Sequence, residues 1–410
     1  MCGMNRYIFL TILACGLVAA FLFISTYNII EIPILRSIAN FADQTPVNFD
    51  IEPQRPLVIS PEPIKAIYLT SYSAGNAVKM TAVLKLIKET ELNAVVVDMK
   101  DYSGFVTYNT DLELPKEYKA IDPRIPALNK LIKKLHDENI YVIARVSVFQ
   151  DQQLAKARPD LALMSSSTPG ASWKDFKGLM WMDTSSKEVW DYNIAIAEEL
   201  ASRGIDEINF DYIRFASDGN LPDIKYPLWD GKTYKTLVLR NFFKYLREQL
   251  SDVKISADLF GLVTVNTDGL GIGQHLEYAL PYFDAIAPMT YPSHYYKGFI
   301  GIEKPAEAPY QVIKYSMDAA IRRVKAHEAA LRAAIGNSTT TPMPNIAKLR
   351  PWFQDFDLGA DYDEKKVRAQ IQAWYDSATT TSYKIDGWML WNASNNYTRA
   401  ALETASFAGY

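Results

Sequence analysis

The sequence predicts an α/β fold, a parallel (β/α)8 TIM barrel preceded by an N-terminal transmembrane helix and a linker. Three observations carry this. After Pro63, short runs of β-branched and aromatic residues alternate with longer stretches whose apolar residues recur at three and four, and the short runs number eight. Strands that alternate with helices pair in parallel, because the helix carries the chain back to the starting end of the sheet. Ahead of the pattern stands one uncharged apolar run long enough to span a bilayer. A doubly wound open sheet is the alternative arrangement of the same elements.

From Tyr7 to Ile24 the chain reads YIFLTILACGLVAAFLFI, 18 residues without a charge, which as a helix would span about 27 Å. Arg6 and the amino terminus supply the only charges before it, so the positive-inside rule places the start in the cytoplasm and the bulk of the protein outside. A cleaved signal peptide is the rival reading, but Ser25-Thr26-Tyr27-Asn28 follows with no small-x-small cleavage site. Ile12-Leu13-Ala14-Cys15-Gly16 resembles a lipobox, yet nine apolar residues follow Cys15, and a cysteine within an anchor helix is the simpler account. The chain therefore divides into a membrane anchor (1–26), a linker (27–63) and a barrel (64–410). Pro33, Pro46, Pro53, Pro56, Pro61 and Pro63 make the linker semi-extended.

Within the barrel, strands are expected at Ile64–Thr70, Ala94–Met99, Tyr141–Val148, Glu207–Phe215, Lys254–Phe260, Ala285–Tyr291, Leu349–Phe356 and Gly387–Asn392. The principal helical periods cover Lys79–Glu91, Ile125–Asn139, Lys187–Arg203, Thr236–Leu250, Tyr310–Ala333 and Glu364–Ser377. Active sites of such barrels are built at the C-terminal ends of the strands, so polar residues there outrank those on helices. Every strand after the first supplies some: Asp98 and Asp101, Arg145, Asp211 and Arg214, Asp258, Tyr291 and His294, Trp352, Gln354 and Asp355, and Trp391.

Composition narrows the chemistry. The 410 residues hold 43 Lys+Arg and 47 Asp+Glu; residues 1–63 take three basic and five acidic of these, leaving 40 against 42. That balance argues against binding nucleic acid by phosphate neutralisation. Both cysteines, Cys2 and Cys15, precede the barrel, which can then hold neither an internal disulfide nor a thiolate metal site. The four histidines (His136, His275, His294, His327) show no HExxH or HxH spacing, so no metal and no organic cofactor is expected.

Several carboxylates with aromatic residues at one mouth suit glycoside hydrolysis, in which one group protonates the leaving oxygen and another attacks or activates water. Asp211 ranks first, since Glu207, Asn209 and Asp211 share one strand face; a structural ion pair with Arg145 or Arg214 is its alternative role. Asp258, beside Ser256 on the next strand, is the partner carboxylate. Asp355 is a third, but Gln354 and Asp355 cannot both face inward without a bulge. Asp98 and Asp101 either bind a sugar hydroxyl or cap the turn at Ser103-Gly104. Tyr291 and His294, in a proline-containing loop, either touch substrate or pack the loop. Trp173, Trp181, Trp352 and Trp391 are candidate sugar platforms, whereas Trp190 and Trp374 belong to the helical core.

The segments VVVDMKDYSG (95–104), ARPDLALM (157–164), GLMWMDTSSKEVWDYN (178–193), DEINFDYIRFASDG (206–219), ISADLFGLV (255–263), APMTYPSHY (287–295), LRPWFQDF (349–356) and DGWMLWNASNNYT (386–398) closely resemble the putative glycosyl hydrolase family. The resemblance runs from about residue 64 to 404. It implies a TIM barrel related to the α-amylase and α-galactosidase group, often membrane-anchored in bacteria, acting on a polysaccharide or oligosaccharide. By analogy with those barrels, Asp211 is implied as nucleophile, Asp258 as acid/base and Asp355 as a group that steadies the sugar. From the residues themselves, Arg145, Arg214 and Tyr291 are expected to orient the reacting groups or stabilise charge. The chain departs from the pattern at Asp258, where amylase-like enzymes usually have Glu, and at Phe215-Ala216, where Phe-Pro is expected. The alternative is a carbohydrate-binding or envelope scaffolding protein on the same barrel; a metal-dependent deacetylase is a third reading, disfavoured by the scattered histidines.

Overall fold

The structure is a computed structural model that describes residues 50–336 and 343–405. The expected anchor and the linker up to Phe49 lie outside the described residues. Among the described residues no helix is long and apolar enough to cross a membrane.

Eight parallel strands form the barrel: β1 (Ile64–Leu69), β2 (Ala94–Lys100), β3 (Tyr141–Ser147), β4 (Glu207–Asp211), β5 (Ile255–Phe260), β6 (Ala285–Met289), β7 (Trp352–Gln354) and β8 (Gly387–Trp391). Each pairs with its sequence neighbours, and β1 pairs with both β2 and β8, which closes the cylinder and excludes the open sheet. Helices α1 (Ala77–Glu89), α2 (Leu128–His136), α3 (Lys187–Ser202), α4 (Lys235–Gln249), α5 (Leu276–Ala279), α6 (Pro309–Ile335) and α7 (Glu364–Thr381) connect them. Asn76, Ser186 and Asp363 cap α1, α3 and α7 by accepting from free first-turn amides.

Three strands end two or more residues earlier than expected. β4 stops at Asp211 because Tyr212 turns to φ 53°, outside the extended region. β6 stops at Met289, before the turn Pro292–His294. β7 is preceded by the short strand Lys348–Leu349, separated from it by Arg350-Pro351, where proline has no N–H to give the ladder.

The strands read as nearly continuous apolar runs because both faces are buried. One face packs on the helices through residues such as Val95, Val97, Val142, Ala144, Ile208 and Phe210. The other fills the barrel with Ile64, Ala66, Tyr68, Ala94, Val96, Tyr141, Ile143, Ala287, Trp352 and Met389, joined by Tyr291. At the N-terminal end of the axis Glu207 meets Arg350 at 2.7 Å, and Arg350 meets Asp386 at 2.6 Å.

A bulge in β2 positions the mouth. Register runs Asp98↔Arg145 and then jumps to Lys100↔Val146, so residues two apart no longer share a face. Asp98 stays inside, while Lys100 turns toward α3 and pairs with Asp151 at 2.7 Å and Asn193 at 3.1 Å.

Candidate active site

The C-terminal mouth is organised by Arg145 of β3. Its Nη1 donates to Asp98 Oδ1 at 2.6 Å, its Nη2 donates to Asp211 Oδ2, and its Nε stands 3.7 Å from Asp258 Oδ2. One guanidinium thus faces carboxyl groups from β2, β4 and β5. All four side chains are buried. Burial alone would lower the arginine, but Asp211 and Asp98 hold it well above its ordinary value, so it stays charged.

Each carboxyl group has further partners. Asp98 Oδ2 accepts from Tyr68 Oη at 2.5 Å, and burial pushes its carboxyl up against the pull of Arg145. Asp211 Oδ1 accepts from the Tyr212 N–H at 2.5 Å, a bond that depends on the turn at Tyr212. Asp258 Oδ1 accepts from Trp352 Nε1 at 2.7 Å and from Asn209 Nδ2 at 2.9 Å. Burial and the neighbouring charge of Asp211 push Asp258 up to about 8, which favours its protonated form. Buried Tyr291 lies near both Asp258 and Asp211 and is itself raised by burial.

Aromatic rings wall the mouth. Tyr68 and Trp391 stack with centroids 3.8 Å apart, and Arg145 lies 5.0 Å from the Trp391 ring centre. Beside this stack, over the ends of β6, β7 and β8, opens a cleft of about 620 Å³ lined by residues including Tyr291, His294, Asp355, Phe356, Trp391 and Thr398. Asp355 faces it, held by the Thr398 N–H at 2.9 Å and hydroxyl at 2.7 Å, with its carboxyl raised by burial. His294 is lowered by burial and by the nearby Lys177 charge, which keeps the imidazole neutral.

Of the expected site residues, Asp98, Arg145, Asp211 and Asp258 converge, and Tyr291, His294, Asp355 and Trp391 line or border the cleft. Others take different places. Asp101 caps its own turn through Ser103 and pairs with Arg124, the alternative role expected for it. Gln354 is buried: its amide donates to Phe356 O at 2.9 Å and accepts from the Ser293 N–H at 3.1 Å, so it fixes two loops and touches no open space. The parity conflict with Asp355 resolves because β7 ends at Gln354 and Asp355 belongs to the turn after it. Trp352 is no platform, being fully buried as the donor to Asp258. Trp173 and Trp181 are likewise buried, donating to Asn220 O at 3.0 Å and Asp175 at 3.1 Å. Arg214 sits between Trp181 and Phe260, with its guanidinium 4.6 and 4.8 Å from their ring centres.

Tyr68 was missed because the first strand was credited with no mouth residue. Its signal was parity: Ile64, Ala66 and Tyr68 share a face, and Tyr68 is the last of them before the strand ends. Among the described residues no group of three or more His, Cys, Asp or Glu side chains is arranged to hold a metal ion.

Residues 66–397 match the family model described as "Putative glycosyl hydrolase domain". No curated protein matches in sequence. A solved structure of a hypothetical protein from Ruminiclostridium thermocellum ATCC 27405 is 37% identical, over 47% of this chain and 96% of that one, with a TM-score of 0.44. The PgaB (BpsB) glycoside hydrolase domain from Bordetella bronchiseptica is 14% identical over 84% of this chain and 100% of its own, with a TM-score of 0.56, a likeness of fold. The α-galactosidase TtGalA from Thermus thermophilus, in complex with stachyose, is 12% identical over 83% of this chain and 63% of its own, with a TM-score of 0.43.

Proposed function

The chain belongs to the putative glycosyl hydrolase domain family, and from that premise we propose that it cleaves O-glycosidic bonds of an extracytoplasmic polysaccharide with Asp211 and Asp258. The observation that carries this is the convergence of Asp211 and Asp258, from adjacent strands, on the one guanidinium of Arg145 at the mouth of the barrel, where burial and the charge of Asp211 raise Asp258. Hydrolysis needs that asymmetry: an acid still holding its proton at working pH, and a base or nucleophile beside it. Asp258 gives its proton to the leaving oxygen, and Asp211 attacks the anomeric carbon or takes a proton from water. Arg145 orients both groups. Half-buried Trp391, held from behind by Tyr68, and the neighbouring cleft give sugar rings an aromatic wall. The apolar run Tyr7–Ile24 supports a membrane anchor with the barrel outside.

The test is release of reducing ends from bacterial and plant polysaccharides by the full chain and by its Asp211→Asn variant. Release by the wild type, abolished in the variant, supports the reading. A second reading, a carbohydrate-binding protein, is favoured by the ion pairs of Asp98 and Asp211 with Arg145, which are those of buried structural charges. Binding of a glycan with no turnover by either protein would select it.

A further inference from the structure

Arg214 is a buried cation with an open edge. It makes no ion pair among the described residues: Nη1 donates to Phe215 O at 3.1 Å and Ser217 Oγ at 2.9 Å, which leaves Nε and Nη2 without a hydrogen bond. Neither nitrogen is fully sealed from solvent, although the residue as a whole is only 7% exposed. Trp181 and Phe260 flank the guanidinium and fix its plane. A charge this deep costs stability unless something pairs with it, and here burial lowers its pKa in spite of the more distant charges of Asp211, Asp218 and Asp175, none of which forms an ion pair with it. Arg145 one strand away shows the contrast, since its partners all belong to the protein.

The open edge, Nε with Nη2, is the side of a guanidinium that receives a carboxylate through two parallel hydrogen bonds. It lies three residues after Asp211 and against Phe260, the last residue of β5, hence at the same mouth. Lys177, four residues before Trp181, adds a second positive charge near enough to His294 to lower it. We infer that Arg214 is a subsite for a carboxylate-bearing sugar, so that the glycan bound at this mouth contains uronic acid residues. The inference rests on the proposed glycan site and names its substrate class; sulfate esters are the competing anion.

The test is equilibrium binding of oligoglucuronate, oligogalacturonate and oligomannuronate, of the same oligosaccharides with carboxyls reduced to hydroxymethyl groups, and of a sulfated neutral oligosaccharide. The proteins are the full chain, Arg214→Met, which keeps the apolar contacts with Trp181 and Phe260, and Arg214→Lys, which keeps the charge but not the fork. At least one uronate is expected to bind the wild type roughly tenfold or more tighter than its reduced form, as one charge-assisted pair would give. That preference should vanish in Arg214→Met and survive only in part in Arg214→Lys, with thermal melts confirming that both fold. Equal binding of acid and reduced forms, a preference that persists in Arg214→Met, tighter binding of the sulfated sugar, or no binding of any uronate each overturns the inference. Hydrolysis of a neutral glycan with Arg214 irrelevant would sink this inference alone, whereas Arg214-dependent uronate binding without turnover would sink the hydrolase reading alone.

Discussion

Trp352 and Asp258 form a donor–acceptor pair inside the barrel: the indole N–H reaches Oδ1 at 2.7 Å, so a tryptophan facing the axis controls the proton of a carboxyl. The bond favours the charged form and pulls against the burial and the Asp211 charge that raise the group to about 8. Replacing Trp352 with Phe removes the donor and keeps most of the bulk. The alkaline limb of the kcat/KM profile, where Asp258 loses its proton, should then move up by about half to one pH unit, the equivalent of one hydrogen bond. An unmoved limb would show that Asp258 is not the acid.

The same carboxyl ties stability to pH. Its folded pKa lies above the unfolded value of 3.8, so the folded protein binds the extra proton, and stability falls as pH rises from about 4 through about 8. Asp258→Asn keeps an acceptor for Trp352 and Asn209 and removes the titration. Its melting temperature relative to wild type should therefore climb between pH 5 and pH 8.5, by roughly 2 °C for each kcal/mol relieved. A difference that stays constant across this window would count against a raised Asp258.

Removing Arg145 should be severe. Arg145→Met would leave Asp98 and Asp211 buried without their cation, at a cost of about 3–5 kcal/mol in denaturant unfolding. Arg145→Met combined with Asp98→Asn and Asp211→Asn should recover part of that loss, because the penalty comes from stranded charge.

Gly387 opens β8 at φ 147°, and a Cβ there would fall 1.8 Å from the Ile64 carbonyl oxygen. Gly387→Ala should therefore strain the seam that closes β8 on β1 and cost at least about 2 kcal/mol. A wild-type melting curve for this variant would show that the seam can shift.

All eight strands were legible because a closed parallel sheet buries both faces and writes itself as short β-branched runs. Parity within β4 also picked out Asp211 and Asn209. What escaped the sequence depended on partners far along the chain or on one-residue irregularities. The bulge after Asp98 sends Lys100 to the outer layer, and nothing local marks it. Asp101 is claimed by Arg124, 23 residues away. A strand tryptophan reads alike as sugar platform or as core; in Trp352 only the nearness of Asp258 decides.

The packed axis sets how a long chain must meet this protein. Ala66, Val96, Ile143, Ala287, Trp352 and Met389 fill the interior between the charges at the mouth and the Glu207–Arg350–Asp386 group at the opposite end. The barrel is therefore a dead end with no passage through it. If the proposed polysaccharide is the substrate, it has to lie across the open face, and its products would leave by the side they entered.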